Sequence, residues 1–182
     1  MRLILAVVLL SALAFGVSPG LEKPAPSAAS EAELLLDGDY GPRVLELIRG
    51  AQREIRTLLY LAQGDPESRS PRALLQALVD ARTRGVQVSV LLDLDVQDRA
   101  KNEAALAFLK AGGVRVRYDD PETTTHAKAL EVDGEWLVVG SANWTQGALR
   151  HNHEAGVLLR SPELARKFAA YAQRLEVPCP AP

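Results

Sequence analysis

The sequence predicts an α/β fold, a mixed β-sheet flanked by helices, on three observations. Helical and strand periods alternate between residues 44 and 119. After Asp119 the pattern changes to two short apolar strands around a two-residue turn. A final amphipathic helix then closes the folded part.

The elements follow in order. In "GPRVLELIRGAQ", Val44, Leu47, Ile48 and Ala51 mark one helix face. "IRTLLYLA" (55–62) reads as a buried strand. "SPRALLQALVDARTRG" opens on Ser70 as a cap with Pro71 in the first turn, and it stops at Gly85. Its apolar face is Leu74, Ala77, Leu78 and Ala81. "VQVSVLLD" (86–93) alternates through Val86, Val88, Val90 and Leu92, as a strand does. "NEAALAFLKAGG" is a further helix ended by paired glycines, and "VRVRYD" (114–119) is the strand after it. Strand, helix, strand, helix, strand implies βαβ units in a largely parallel sheet. "AKALEVDGEWLVVGS" predicts a hairpin around Asp133-Gly134, and "EAGVLLR" (154–160) another strand. Ser161-Pro162 opens the last helix, which carries Leu164, Phe168, Tyr171, Ala172 and Leu175 on one side.

The ends of the chain have a different character. Arg2 precedes a 13-residue apolar run, Leu3 to Phe15, short for a membrane span and suited to a secretory signal. The expectation is a signal peptide over 1–16, with cleavage between 16 and 20; a buried helix or an uncleaved membrane tether are the alternatives. Residues 17–30, rich in Pro, Ser and Ala, read as a flexible linker, residues 31–176 as one domain, and 177–182 as a tail. The expected location is therefore secreted or periplasmic. The single cysteine, Cys179, makes no internal disulfide possible. The chain carries 21 basic and 23 acidic residues; without Arg2 it carries 20 against 23, about −3. A dedicated nucleic-acid binder would be basic overall, so any polyanion must meet a local patch.

The stretch "HAKALEVDGEWLVVGSAN" (126–143) carries the chemistry. His126 and Lys128 are two apart, so on a strand they share a face. Asp133, Gly140, Ser141 and Asn143 complete H-x-K-x4-D-x6-G-S-x-N, six residue types at fixed spacing inside one hairpin. This pattern resembles the HKD signature of the phospholipase D superfamily. The upstream β-α alternation is similar as well, so the resemblance spans roughly residues 31 to 176. Longer members carry two copies; His151 and His153, in "RHNHE", start no second one. The resemblance is to the short members with one half-site per chain, namely the secreted bacterial endonuclease and the mitochondrial phospholipase D-like proteins. It implies a phospholipase D-like sandwich and a homodimer that completes the active site.

The residue types suit that chemistry. A phosphodiester is anionic, so a cationic cradle must neutralise it before attack. The resemblance implies that Lys128 supplies this charge, while Ser141 and Asn143 bind the non-bridging oxygens beside Gly140. It implies that His126 attacks phosphorus to form a phosphohistidine and that a second His126 protonates the leaving oxygen, in keeping with a histidine's titration near neutrality. Glu154 stands where these enzymes carry an acidic residue, with the expected part of orienting His126. Asp133 enters the catalytic set through the signature, although Asp-Gly is a favoured turn by itself and the expected part of its carboxylate is to shape the hairpin. No cofactor and no metal are expected. Asp93, Asp95 and Asp98 read as a polar loop at a strand end. Trp144 suits either packing or stacking of a base, and His151 and His153 suit a polar turn near the cleft. The expected function is a metal-independent endonuclease on DNA or RNA. A phospholipase D acting on phospholipid head groups is the alternative, and a non-catalytic phosphate- or nucleic-acid-binding module is the third reading.

Overall fold

The computed structural model describes residues 31–94, 99–120 and 122–175. The expected signal peptide, linker and tail, with Cys179, Asp95 and Asp98, lie outside the described residues. In chain order the elements are β1 (Glu31–Leu36), α1 (Tyr40–Gly50), β2 (Glu54–Leu59), α2 (Arg69–Thr83), β3 (Gln87–Leu92), α3 (Arg99–Ala111) and β4 (Arg115–Tyr118). They continue as β5 (Lys128–Val132), β6 (Trp136–Gly140), α4 (Gln146–Arg150), β7 (Ala155–Arg160) and α5 (Pro162–Leu175).

The seven strands form one sheet in the order β1-β7-β6-β5-β2-β3-β4. β2, β3 and β4 are parallel, joined by α2 and α3 as βαβ units; the remaining pairings are antiparallel. The expected α/β mixed sheet is thus present, but it is not largely parallel, since only two of its six pairings are, because the strands after β4 return by hairpins instead of helical crossovers. Its two faces are covered unequally. Ile55, Leu59, Val88, Val90, Leu92, Leu130, Val138 and Leu158 point to one face and pack under α1, α2 and α3 in the main core. On the other face Leu58 and Leu91 pack with Ala172, Phe168 and Leu175 of α5 and with Ala127.

Three local differences from the sequence expectation have clear causes. β1 was not anticipated: Leu34-Leu35-Leu36 shows no polar alternation, yet only Leu35 is buried, and Leu34 and Leu36 are exposed on a sheet edge. Ser70 is not a helix cap. The helix starts at Arg69, and the Ser70 N–H is taken by Gln146 Oε1 at 3.1 Å. β2 stops at Leu59, short of the expected Ala62, whose N–H is taken by Asn102 Oδ1 at 2.8 Å.

The turn Asp133-Gly134 has φ values of 58° and 67°. Two positive φ values make it the mirror-image turn whose twist matches a hairpin. Asp133 also ties that hairpin to β2. Its Oδ1 accepts from the N–H of Arg53 at 2.7 Å and of Glu54 at 3.0 Å, and its Oδ2 accepts from the N–H of Gln52 at 2.9 Å. Burial pushes this carboxyl up, but the three N–H groups and the nearby Arg53 charge outweigh it and hold its pKa below the ordinary value.

Candidate active site

The site lies where β2 and β3 end, β5 begins, β6 ends and β7 begins. In open α/β sheets this end, outside the carboxyl ends of the parallel strands, is where ligands bind. Lys128 is the first residue of β5 and is only 5% exposed, while His126, just before the strand, is exposed. The Lys128 ammonium donates to the His126 carbonyl at 2.8 Å and stands 3.1 Å from both nitrogens of the His126 ring. The signature's histidine and lysine therefore meet, as their spacing predicts. Burial pulls the Lys128 ammonium below the ordinary lysine value, and the charges of Glu154 and Asp93 act in the opposite direction.

The neighbouring strands bring in the rest. Gly140 ends β6, and a Cβ there would stand 2.8 Å from the Cα of Gly156, so the absence of a side chain permits the close approach of β6 and β7. The Ser141 N–H donates to the Ala155 carbonyl at 3.0 Å, and its Oγ accepts from the Ala155 N–H at 3.1 Å and donates to Glu154. Asn143 is half-buried, and its Oδ1 has no hydrogen-bond partner. Glu154 is pinned by Asp37, which donates its N–H to the Glu154 carbonyl at 2.9 Å and accepts the Glu154 N–H at 2.8 Å. Its carboxylate meets Ser141 and the Asn152 amide, the latter at 3.1 Å, rather than the His126 ring. In this single chain its influence on the signature's cation is electrostatic.

Asp133 stands apart from this group. It follows β5, five residues beyond Lys128, which at a strand's rise is about 16 Å. Its carboxylate is engaged by the three backbone N–H groups beside the hairpin turn. Trp144 is fully buried, so it packs in the core and does not present a stacking surface. His153 is fully exposed, with its ring 3.2 Å from Asp37 Oδ2, and His151 is exposed on the same turn.

Several residues beneath the site have no signal in the signature. Asp93, at the end of β3, is fully buried, and its Oδ2 accepts the Thr125 N–H at 2.6 Å. Asp119 accepts the same N–H at 3.1 Å and the Leu94 N–H at 2.8 Å. These carboxylates hold the segment that delivers His126. Tyr60, just past β2, places its ring centroid 4.4 Å from that of His126. Only the pairing of β2 with β5, some seventy residues later in the chain, brings these groups together. Among the described residues no cluster of three or more His, Cys, Asp or Glu side chains is arranged to hold a metal ion.

Comparison with known proteins agrees with this geometry. The family described as "Cardiolipin synthase, PLD-like domain" matches residues 44–176. The mitochondrial cardiolipin hydrolase of Canis lupus familiaris is 27% identical over 158 residues, covering 87% of this chain and 59% of the relative. That of Xenopus tropicalis is 31% identical over 134 residues, covering 74% and 58%. The chain thus spans somewhat over half the length of these relatives. Among solved structures, the phospholipase D family member Nuc from Salmonella typhimurium superposes with a TM-score of 0.72 at 27% identity, over 81% of this chain and 94% of that one. A sheet of this topology, a signature that converges on its carboxyl end, and these matches make the chain a member of the phospholipase D superfamily of phosphodiesterases.

Proposed function

We propose that the protein is a metal-independent phosphodiesterase, acting as a non-specific endonuclease on DNA or RNA, and that it works as a homodimer. The observation that carries the chemistry is the contact of His126 with the buried Lys128 ammonium, which feels the charge of the Ser141-bound Glu154. Lys128 and Asn143 neutralise and grip the phosphate. One His126 attacks phosphorus, a P–N bond forms and the P–O bond to the leaving group breaks. The His126 of the second copy gives its proton to the departing oxygen. It then takes a proton from water, which displaces the first histidine and regenerates the pair. Glu154 orients the imidazole once the second copy and the substrate complete the site. A secreted or periplasmic location follows from the signal-like N terminus.

The dimer reading has support on the sheet's thinly covered face. Leu34, Val157 and Val139 are direct cross-strand neighbours there, and Leu34 and Val139 are 63% and 46% exposed. Leu36, Leu164 and Tyr171 are exposed as well. Contiguous apolar surface on a soluble domain marks an association site. A second copy seated there lies close to Gly140 and Glu154. The nuclease reading is supported by the coverage of nearly all of Nuc. The second reading, a phospholipase D on phospholipid head groups, is favoured by the sequence relatives that are named cardiolipin hydrolase.

The test is nicking of supercoiled plasmid in excess EDTA, beside His126→Asn. Cleavage that survives EDTA and is lost in the variant supports the nuclease reading. No cleavage, with head-group release from cardiolipin vesicles, moves the assignment to lipid. Co-refolding wild type with excess His126→Asn tests the dimer. Activity per wild-type chain falls in proportion to the wild-type fraction if two histidines share one site, and stays constant if each chain acts alone.

A further inference from the structure

We propose that Tyr60 is a positioning residue of this site, whose ring holds the Lys128 ammonium and the His126 imidazole in register. The proposal rests on the phosphodiesterase reading and adds a residue that the signature does not contain.

The geometry starts with the backbone. Tyr60 donates its N–H to the Ala127 carbonyl at 3.0 Å, between the two signature residues. Its carbonyl accepts from Asn102 Nδ2 at 2.9 Å. Asn102 is fully buried on α3; the same amide nitrogen donates to the Asp93 carbonyl at 2.9 Å, and its Oδ1 accepts the Ala62 N–H at 2.8 Å. One side chain thus fixes the ends of β2 and β3 and, through Tyr60, the start of β5. A buried amide with both ends satisfied is a rigid support.

The ring is then aimed by a fixed backbone. Its centroid lies 4.4 Å from that of His126, with the planes tilted by 55°, and 4.7 Å from the Lys128 ammonium. Both distances fall in the range of aromatic contact and of cation–π attraction. Three groups therefore touch in a closed set: ammonium to imidazole, imidazole to phenol ring, phenol ring to ammonium. The ring belongs to neither apolar cluster of the core and is half-buried at the site, so packing of the interior does not account for it. His126 is exposed and would otherwise sample several rotamers, and Lys128 is a buried cation on a long flexible stem. The electron-rich ring face stabilises the ammonium without neutralising it, which a carboxylate in the same place would do. That leaves the full positive charge for the phosphate.

The two contacts use the ring and not the hydroxyl, which gives the test its form. Tyr60→Phe keeps kcat within about twofold for a chromogenic phosphodiester such as bis(p-nitrophenyl) phosphate. Tyr60→Leu lowers kcat on the order of tenfold to a hundredfold, as displaced catalytic groups do, with KM changed far less. The decisive series places phenylalanine with one, two and three ring fluorines at position 60. Size is preserved while the ring face loses electron density. Titration of Lys128, read by nitrogen-15 NMR of the ammonium in the protein without substrate, then moves stepwise to lower pH. A Lys128 titration indifferent to fluorination overturns the proposal, and so does a Tyr60→Phe variant as impaired as Tyr60→Leu. Because the titration needs no substrate, it is decided even if the wild type cleaves no phosphodiester, an outcome that would sink the functional reading alone.

Discussion

Replacing Asp133 by asparagine separates a structural carboxylate from a catalytic one. Asparagine accepts the positive φ of this turn, so the hairpin geometry is kept. What changes is acceptor count. The carboxylate takes three N–H groups, from Gln52, Arg53 and Glu54, at 2.7 to 3.0 Å. An amide has one oxygen, so at least one N–H faces an NH2 group, and the remaining bonds lose their charge assistance. Hydrogen bonds to charged groups contribute roughly 1.5–3 kcal/mol each, but Gln52 and Arg53 are exposed and water replaces part of the loss. The expected destabilisation is therefore about 1–2 kcal/mol, measured by urea unfolding at pH 7 as a lower midpoint at unchanged slope. The sign with pH is fixed by the lowered pKa of Asp133. Its contribution is complete above the ordinary value of 3.8 and disappears as pH falls through the lower native value, so the gap between wild type and variant closes on acidification. Activity per folded molecule stays within about twofold, since the residue lies about 16 Å along β5 from Lys128. A variant of wild-type stability with kcat reduced tenfold or more would refute the reasoning and return Asp133 to the reacting centre.

Three further outcomes follow from the same geometry. Gly140→Ala drives a methyl group into the Gly156 backbone at 2.8 Å; it lowers stability by about 1–3 kcal/mol in chemical unfolding and reduces activity by parting Ser141 from Glu154. Glu154→Gln removes one of the two charges that offset the burial of Lys128, so the alkaline fall of kcat, where that ammonium loses its proton, moves to lower pH in a pH–rate profile. Trp144→Ala empties a fully buried site and costs about 3–5 kcal/mol by calorimetry or urea titration, with no change in substrate preference.

The sequence is readable where the determinants are local. His126 to Asn143 lie in one hairpin, so spacing alone brings His126 to Lys128 and predicts the Asp133-Gly134 turn. The β-α alternation is equally local, since each helix carries its own apolar stripe. Contacts made across the sheet leave no such trace. Tyr60 reads as one more apolar residue after Leu58-Leu59 until β2 pairs with β5. Asp93 reads as part of a polar loop, yet it is buried, because Thr125 offers it an N–H from a segment thirty-two residues away. β1 escapes notice because its exposed leucines, Leu34 and Leu36, obey no alternation that a solvated edge strand should show. Glu154 is found by its place after the signature, but its partners Ser141 and Asn152 are set by the β6–β7 register and the turn before β7.

The pairing of β1 with β7 also has a mechanical side. β1 enters the sheet at Glu31, opposite Arg160, and leaves it at Leu36, opposite Ala155 and next to Glu154. A load transmitted along the N-terminal segment reaches the sheet at the end remote from His126. A pull applied there across the strand would peel β1 away one residue pair at a time, from Glu31 inward, and the pairs beside Glu154 would be the last to part. Under such a pull the reactive end would stay intact until nearly the whole strand had been stripped.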